Sequence, residues 1–222
     1  MTVLLRAFSY CPICGQKVNH RLLVSTNSFG SPDLDFRPAG MHRSTMPYWH
    51  VQCPECGYVA KNFDRRISWF EKRRLLHILK TEQYKKCDGL ELPDHTSRRF
   101  YQQFLLCKDV AKDYELFHYL KCCVWACDDF GPLCEDVTKS LRIKVIPYLE
   151  RAIRREMRTT QKEQMMLLLA DFYRRSEQFR EVEECLQNRK FKTEGYDDIA
   201  AYQLELAGKK DSRRHSIRVH EK

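Results

Sequence analysis

The sequence predicts an α+β chain that is mostly α, and three observations carry that expectation. The word "CPICG" over 11–15 returns as "CPECG" over 53–57. Around these words lie stretches of β-branched and aromatic residues. From residue 64 onward apolar residues recur at the three- and four-residue spacing of amphipathic helices. The expected division is a small cysteine-knuckle domain over 1–63, a helical domain over 64–208 and a basic mobile tail over 209–222.

Each C-P-x-C-G forms a tight turn that aims two thiolates at one point. Proline stiffens the entry, and glycine takes up a backbone conformation that other residues resist. Backbone N–H groups in such a turn are placed to donate to the sulfurs. Cys11, Cys14, Cys53 and Cys56 therefore supply four thiolates, the ligand set of a structural Zn²⁺ site. Four thiolates close the coordination sphere, which predicts a structural centre in a zinc-ribbon or rubredoxin-like domain. Iron, bound as in rubredoxins, is the alternative metal. The stretches "KVNHRLLVST" and "YWHVQC" are the expected strands. A module of about sixty residues with few large apolar side chains needs the metal to hold together.

The connection between the knuckles contains "SPDLDFRPAGMHRSTMPYWH", with Asp33, Asp35, Arg37, His42 and Arg43 among prolines and glycines. It reads either as a ligand-binding loop or as an ordered excursion whose Asp and Arg side chains pin backbone groups or dock onto the helical part; the second is preferred. His20, His42 and His50 are further metal-ligand candidates, but four cysteines suffice.

In "DRRISWFEKRRLLHILKTEQY", Ile67, Trp69, Phe70, Leu75, Ile78 and Leu79 make a broad apolar stripe, with Asp64 as candidate cap. Residues 88–97 read as a loop. Helices are expected over 98–109, 113–128, 134–155, 161–176, 179–187 and 197–207. "LLLADFYRRSEQFREVEECL" reads as a tetratricopeptide-like antiparallel hairpin, with Leu169, Ala170 and Tyr173 on its first helix and Phe179, Val182 and Leu186 on its second. Ala170 and Val182 stand where two helices approach most closely. An ordinary helical bundle allows the same periodicity.

The chain has 222 residues, 43% of them hydrophobic, and a formal charge of +9. That composition supports a proper core, and no apolar run approaches the roughly 18 residues of a membrane span. With no leader-like opening, a cytoplasmic protein is expected. Eleven cysteines, an odd number with tight pairs, suit a reducing compartment and metal better than disulfides. Cys87, Cys107, Cys122, Cys123, Cys127, Cys134 and Cys185 read as small buried hydrophobes. A second metal cluster at Cys122, Cys123, Cys127 and Cys134 is the alternative. Arginine pairs such as Arg154–Arg155 and Arg174–Arg175 read as solvated helix faces. The tail carries Lys209, Lys210, Arg213, Arg214 and Arg218, and its R-R-H-S resembles a basophilic kinase site at Ser216.

The knuckles, the intervening "DFRPAGMHRSTMPYWHVQCPECGYVA" and the repeat-like helices resemble a bacterial family of uncharacterised proteins, domain of unknown function 2225, over nearly the whole chain. The resemblance implies Cys11, Cys14, Cys53 and Cys56 as metal ligands and a tetratricopeptide-like C-terminal half. It implies no activity. The chain departs from the pattern at Cys122, Cys123 and Cys127, where Ala-rich sequence is expected.

No phosphate loop, nucleophile elbow, H-E-x-x-H or open metal site occurs, so the chain is not expected to be an enzyme. The preferred function is a zinc-stabilised protein–protein interaction or scaffold module holding a protein or peptide on its helical surface. The alternative is a nucleic-acid binder that uses the ribbon and basic helical faces.

Overall fold

A computed structural model describes residues 1–217; Arg218 of the basic tail lies outside them. The chain opens with β1 (Val3–Tyr10) and β2 (Lys17–Ser25), an antiparallel hairpin whose strands meet from Tyr10↔Lys17 to Leu4↔Leu23. The turn between them is the first knuckle. A short helix α1 (Gly40–Arg43) and a 3-10 turn over Met46–Tyr48 follow. The second knuckle joins β3 (Val51–Gln52) to β4 (Val59–Ala60), paired Val51↔Ala60 and Gln52↔Val59.

The remainder is helical: α2 (Trp69–Lys80), α3 (Glu82–Lys85), α4 (His95–Cys107), α5 (Asp113–Asp128), α6 (Glu135–Arg155), α7 (Thr159–Arg175), α8 (Phe179–Leu186) and α9 (Tyr196–Gly208). From α4 to α8 each helix packs on the next, and α9 packs on both α7 and α8. The chain is thus mostly helical with two small antiparallel sheets. Among the described residues no helix is long and apolar enough to cross a membrane.

One apolar core runs from Cys11, Ile13, Val18 and Val59 through Leu75, Phe100, Phe104 and Leu120 to Leu149 and Phe172. The knuckle region therefore shares its core with α2 and α4, which supply the apolar surface that so short a segment lacks. A smaller cluster holds Met166, Ala170, Val182, Leu186 and Ala200. Ala170 and Val182 are both fully buried there, where α7 meets α8.

Several expectations are corrected. The cap of the first long helix is Ser68, whose side chain accepts from the Glu71 N–H at 3.2 Å, and not Asp64. The helix begins after residues 64–68, which run without helical structure. Of its apolar stripe, Leu75 and Leu79 are buried, but Trp69 and Phe70 are 63% and 79% exposed. They sit in the first turn and pack edge-to-face on each other at 5.0 Å. The strand in 48–53 shrinks to Val51–Gln52 because Pro47 and Tyr48 form a 3-10 turn. β1, in "VLLRAFSY", is a strand beyond the two expected ones.

The expected mobile tail is tied down as far as Ile217. Leu34 N–H donates to the His215 carbonyl at 2.9 Å, and Ile217 N–H donates to that of Pro32 at 2.8 Å. The Ser216 hydroxyl donates to Asp33 at 3.1 Å. A polar composition predicts mobility only when the backbone has no partner, and here the 32–34 segment supplies one.

Candidate metal centre

Two equivalent turns position the four knuckle cysteines. In the first, Cys11 N–H donates to Gln16 O at 2.9 Å and Gly15 N–H to Cys11 O at 2.8 Å. In the second, Cys53 N–H donates to Tyr58 O and Gly57 N–H to Cys53 O, both at 2.9 Å. Gly15 and Gly57 hold φ of +80° and +76°, the left-handed region that closes each turn and that residues with a Cβ resist. The duplicated word is a duplicated hydrogen-bonded turn.

The four sulfurs lie within 4.8 Å of one another. Cys11 Sγ stands 3.6 Å from Cys56 Sγ, and Cys14 Sγ 3.5 Å from Cys53 Sγ. A tetrahedral zinc–thiolate site with bonds near 2.3 Å has sulfur–sulfur edges of about 3.8 Å, so the spacing fits one ion inside the set. All eleven cysteines are free thiols. Cys11 and Cys53 are buried, Cys56 is half-buried and Cys14 is exposed, so the centre sits at the edge of the core.

Burial and local donors act differently on the thiols of the set. Burial pushes Cys11 and Cys56 up, although backbone N–H groups of Ile13, Cys14 and Tyr58 donate to their sulfurs and oppose it. Cys14 is also raised by its slight burial, but the Gln16 N–H and the neighbouring sulfurs outweigh that and lower it. A divalent cation at the centre of the set reverses the burial penalty. Tyr84 of α3 braces the second turn by donating its hydroxyl to Gly57 O at 2.7 Å, a contact with no sequence signal because it depends on how α3 docks.

Among the described residues this is the one group of His, Cys, Asp or Glu ligand atoms gathered closely enough to hold a metal. His20, His42 and His50 do not join it. Nor do Cys122, Cys123, Cys127 and Cys134 form a second cluster; all four are buried, as small hydrophobes are. Burial pushes the Cys122 thiol up to about 12, so it is not a thiolate at neutral pH.

The Asp/Arg connection is an ordered excursion docked on the helices. Arg37 is fully buried: Nε donates to Asp33 at 2.9 Å, and Nη1 to the Trp125 carbonyl at 2.9 Å and to Asp129 at 3.0 Å. Asp35 accepts from Trp125 Nε1 at 2.8 Å and from the Arg37 N–H at 3.0 Å. Beside it, Asp128 pairs with Arg142 and takes a fork from Arg175 at 2.7 and 2.9 Å. Burial acts to raise Asp128, but Arg142 and Arg175 outweigh it and hold the carboxyl below its usual range. Arg174 is likewise fully buried, paired with Asp171 and donating to the carbonyls of Asp211 and Arg213. The Arg174–Arg175 pair is therefore no solvated face. The sequence offered no sign of this, because an arginine on a helix reads alike whether or not an aspartate from elsewhere meets it.

No protein-family model, curated protein or solved structure matches the chain.

Proposed function

We propose that Cys11, Cys14, Cys53 and Cys56 hold one structural zinc ion, and that the chain is a non-enzymatic interaction or scaffold module in the cytoplasm. The supporting observation is the set of four sulfurs within 4.8 Å of one another, two of the separations being 3.5 and 3.6 Å. Four thiolates leave no coordination position for water or substrate, so the metal's work is to hold the two turns together. That clamps the β1–β2 hairpin and the β3–β4 pair onto α2 and α4 through the shared core. The helices beyond are read as tetratricopeptide-like, on the small buried side chains Ala170 and Val182 between α7 and α8, and their surface is the proposed seat of a protein or peptide partner.

A second reading rests on a specific feature of the first hairpin. No Asp or Glu occurs before Asp33, and the strands expose Phe8 and Tyr10 beside Arg6, Lys17 and Arg21. Aromatic rings beside cations are the chemistry of nucleic-acid contact. Elemental analysis of purified protein tests the main proposal, with one zinc per chain expected. Metal near zero, or iron with rubredoxin-like visible absorption, removes it. A sequence-preferring nucleic-acid complex that persists at physiological salt favours the second reading.

A further inference from the structure

Alternate residues of a strand share a face, and so do directly opposed residues of an antiparallel pair. In the β1–β2 hairpin Arg6 lies opposite Arg21, Phe8 opposite Asn19 and Tyr10 opposite Lys17, so these six side chains form one surface. All six are exposed, whereas on the other face Val18 is buried and Ala7, Ser9 and His20 are half-buried. The six-residue face is thus the one turned away from the core. Phe8 and Tyr10 are 57% and 61% exposed and meet edge-to-face at 6.1 Å. Lys17 Nζ lies 4.1 Å over one side of the Phe8 ring. Like charges directly opposed across a strand pair destabilise it, and Arg6–Arg21 is such a pair. No Asp or Glu occurs before Asp33, and among the described residues no carboxylate pairs with Arg6, Lys17 or Arg21. An anion seated between the strands removes that repulsion.

Charge complementarity selects the class of partner. A second copy of the chain brings the same three cations and repels the first. An acidic peptide answers the cations and leaves the two rings in water. An unpaired nucleic-acid strand answers both, because its phosphates meet the cations and its base faces meet the rings. In a duplex those base faces are already stacked on their neighbours. Resting on the nucleic-acid reading of the same hairpin, we propose that this face binds a single nucleic-acid strand. Arg6, Lys17 and Arg21 contact its phosphates, and Tyr10 and the open side of Phe8 are the stacking surfaces for its bases. Phosphates and base faces are common to RNA and DNA.

Fluorescence anisotropy of the full chain at physiological salt, with labelled oligouridylate and oligothymidylate of about 12 nucleotides, tests the assignment. Both strands are expected to bind, and a duplex of the same length about tenfold more weakly. Tyr10→Ala leaves the charge unchanged and is expected to weaken binding about tenfold, with metal content as in the parent. Arg21→Gln relieves the opposed pair, so binding should weaken while the melting temperature does not fall. The same variant should lower the log–log salt slope by about 0.7, as loss of one phosphate contact does on a single strand. Arg180→Ala, an exposed cation of α8 paired with Glu184 at 2.9 Å, is expected to bind as the parent does. Preference for the duplex, or binding that survives both hairpin substitutions, overturns the single-strand assignment and leaves the nucleic-acid reading standing. No binding of either strand or of the duplex removes both. Sedimentation with phosphatidylserine vesicles that Tyr10→Ala abolishes, without oligonucleotide binding, reassigns the face to a lipid surface.

Discussion

At the ends of the connection between the knuckles, four sulfurs gather within 4.8 Å of one another. In its middle, Asp33, Asp35 and Arg37 enter a buried set of ion pairs with α5, α6 and α7. Both regions fasten an irregular stretch of chain to the helices, by different physics. The sulfur centre gathers like groups that repel one another when ionised, a set that a cation could hold. The ionic cluster balances its own charges, needs no added ion and is costly chiefly when one member is removed. The first is built from two local turns. The second draws together residues as distant in sequence as Arg37 and Trp125. Local spacing made one of them legible, and long-range docking hid the other.

The largest effect that separates the regions is expected from Cys53→Ser. Structural zinc contributes on the order of 10–16 kcal/mol in small modules. Loss of the proposed ion should strip hydrogen-exchange protection from 3–25 and 51–60, while 33–37 and the helices keep theirs. Protection lost equally in both regions, or retained in both, breaks the comparison.

A smaller effect is expected from Arg37→Leu. It removes the guanidinium that bonds Asp33, Asp129 and the Trp125 carbonyl, leaving Asp33 with the longer pair to Arg43 at 3.3 Å, and should destabilise the chain by about 3–5 kcal/mol in chemical denaturation. Zinc content should not change. Loss of metal in this variant means that the two regions are one cooperative unit.

The smallest effect is a slope. Burial raises the Asp35 carboxyl from 3.8 to about 6; Asp171 and Asp128 add to the rise, and Arg175 and Arg37 oppose it. Between those values the folded chain keeps a proton that the unfolded chain has lost. This group's contribution to stability therefore falls as pH rises from about 4 to about 6, and is level above that. Asp35→Asn removes the effect. The unfolding free energy of the parent minus that of Asp35→Asn should decline across the window, in which the thiols titrate alike in both proteins. A flat or rising difference removes Asp35 as the group responsible.

The same contrast accounts for what the sequence disclosed elsewhere. Helices from α4 to α9 fall within a few residues of the periodic segments, because an apolar face must repeat near every 3.6 residues to stay against a core. The site cysteines were legible because both pairs sit inside self-contained turns. Asp64 lost the cap to Ser68 because either side chain can cap, and the choice depends on where the chain leaves β4. Trp69 and Phe70 match the apolar period but stand exposed, since periodicity states which residues share a face and not how far a neighbour reaches along it.

By itself the sequence determined the two turns and their four thiols, the helical character after residue 64 and the burial of Ala170 and Val182. In each case the residues responsible are near neighbours or obey a short period. Tertiary structure alone decided that the knuckle region shares its core with α2 and α4, that Arg37, Arg174 and Arg175 turn inward, and that residues 215–217 lie along 32–34. A buried arginine or a docked polar segment is set by a partner far along the chain, and that partner is placed only when the helices pack.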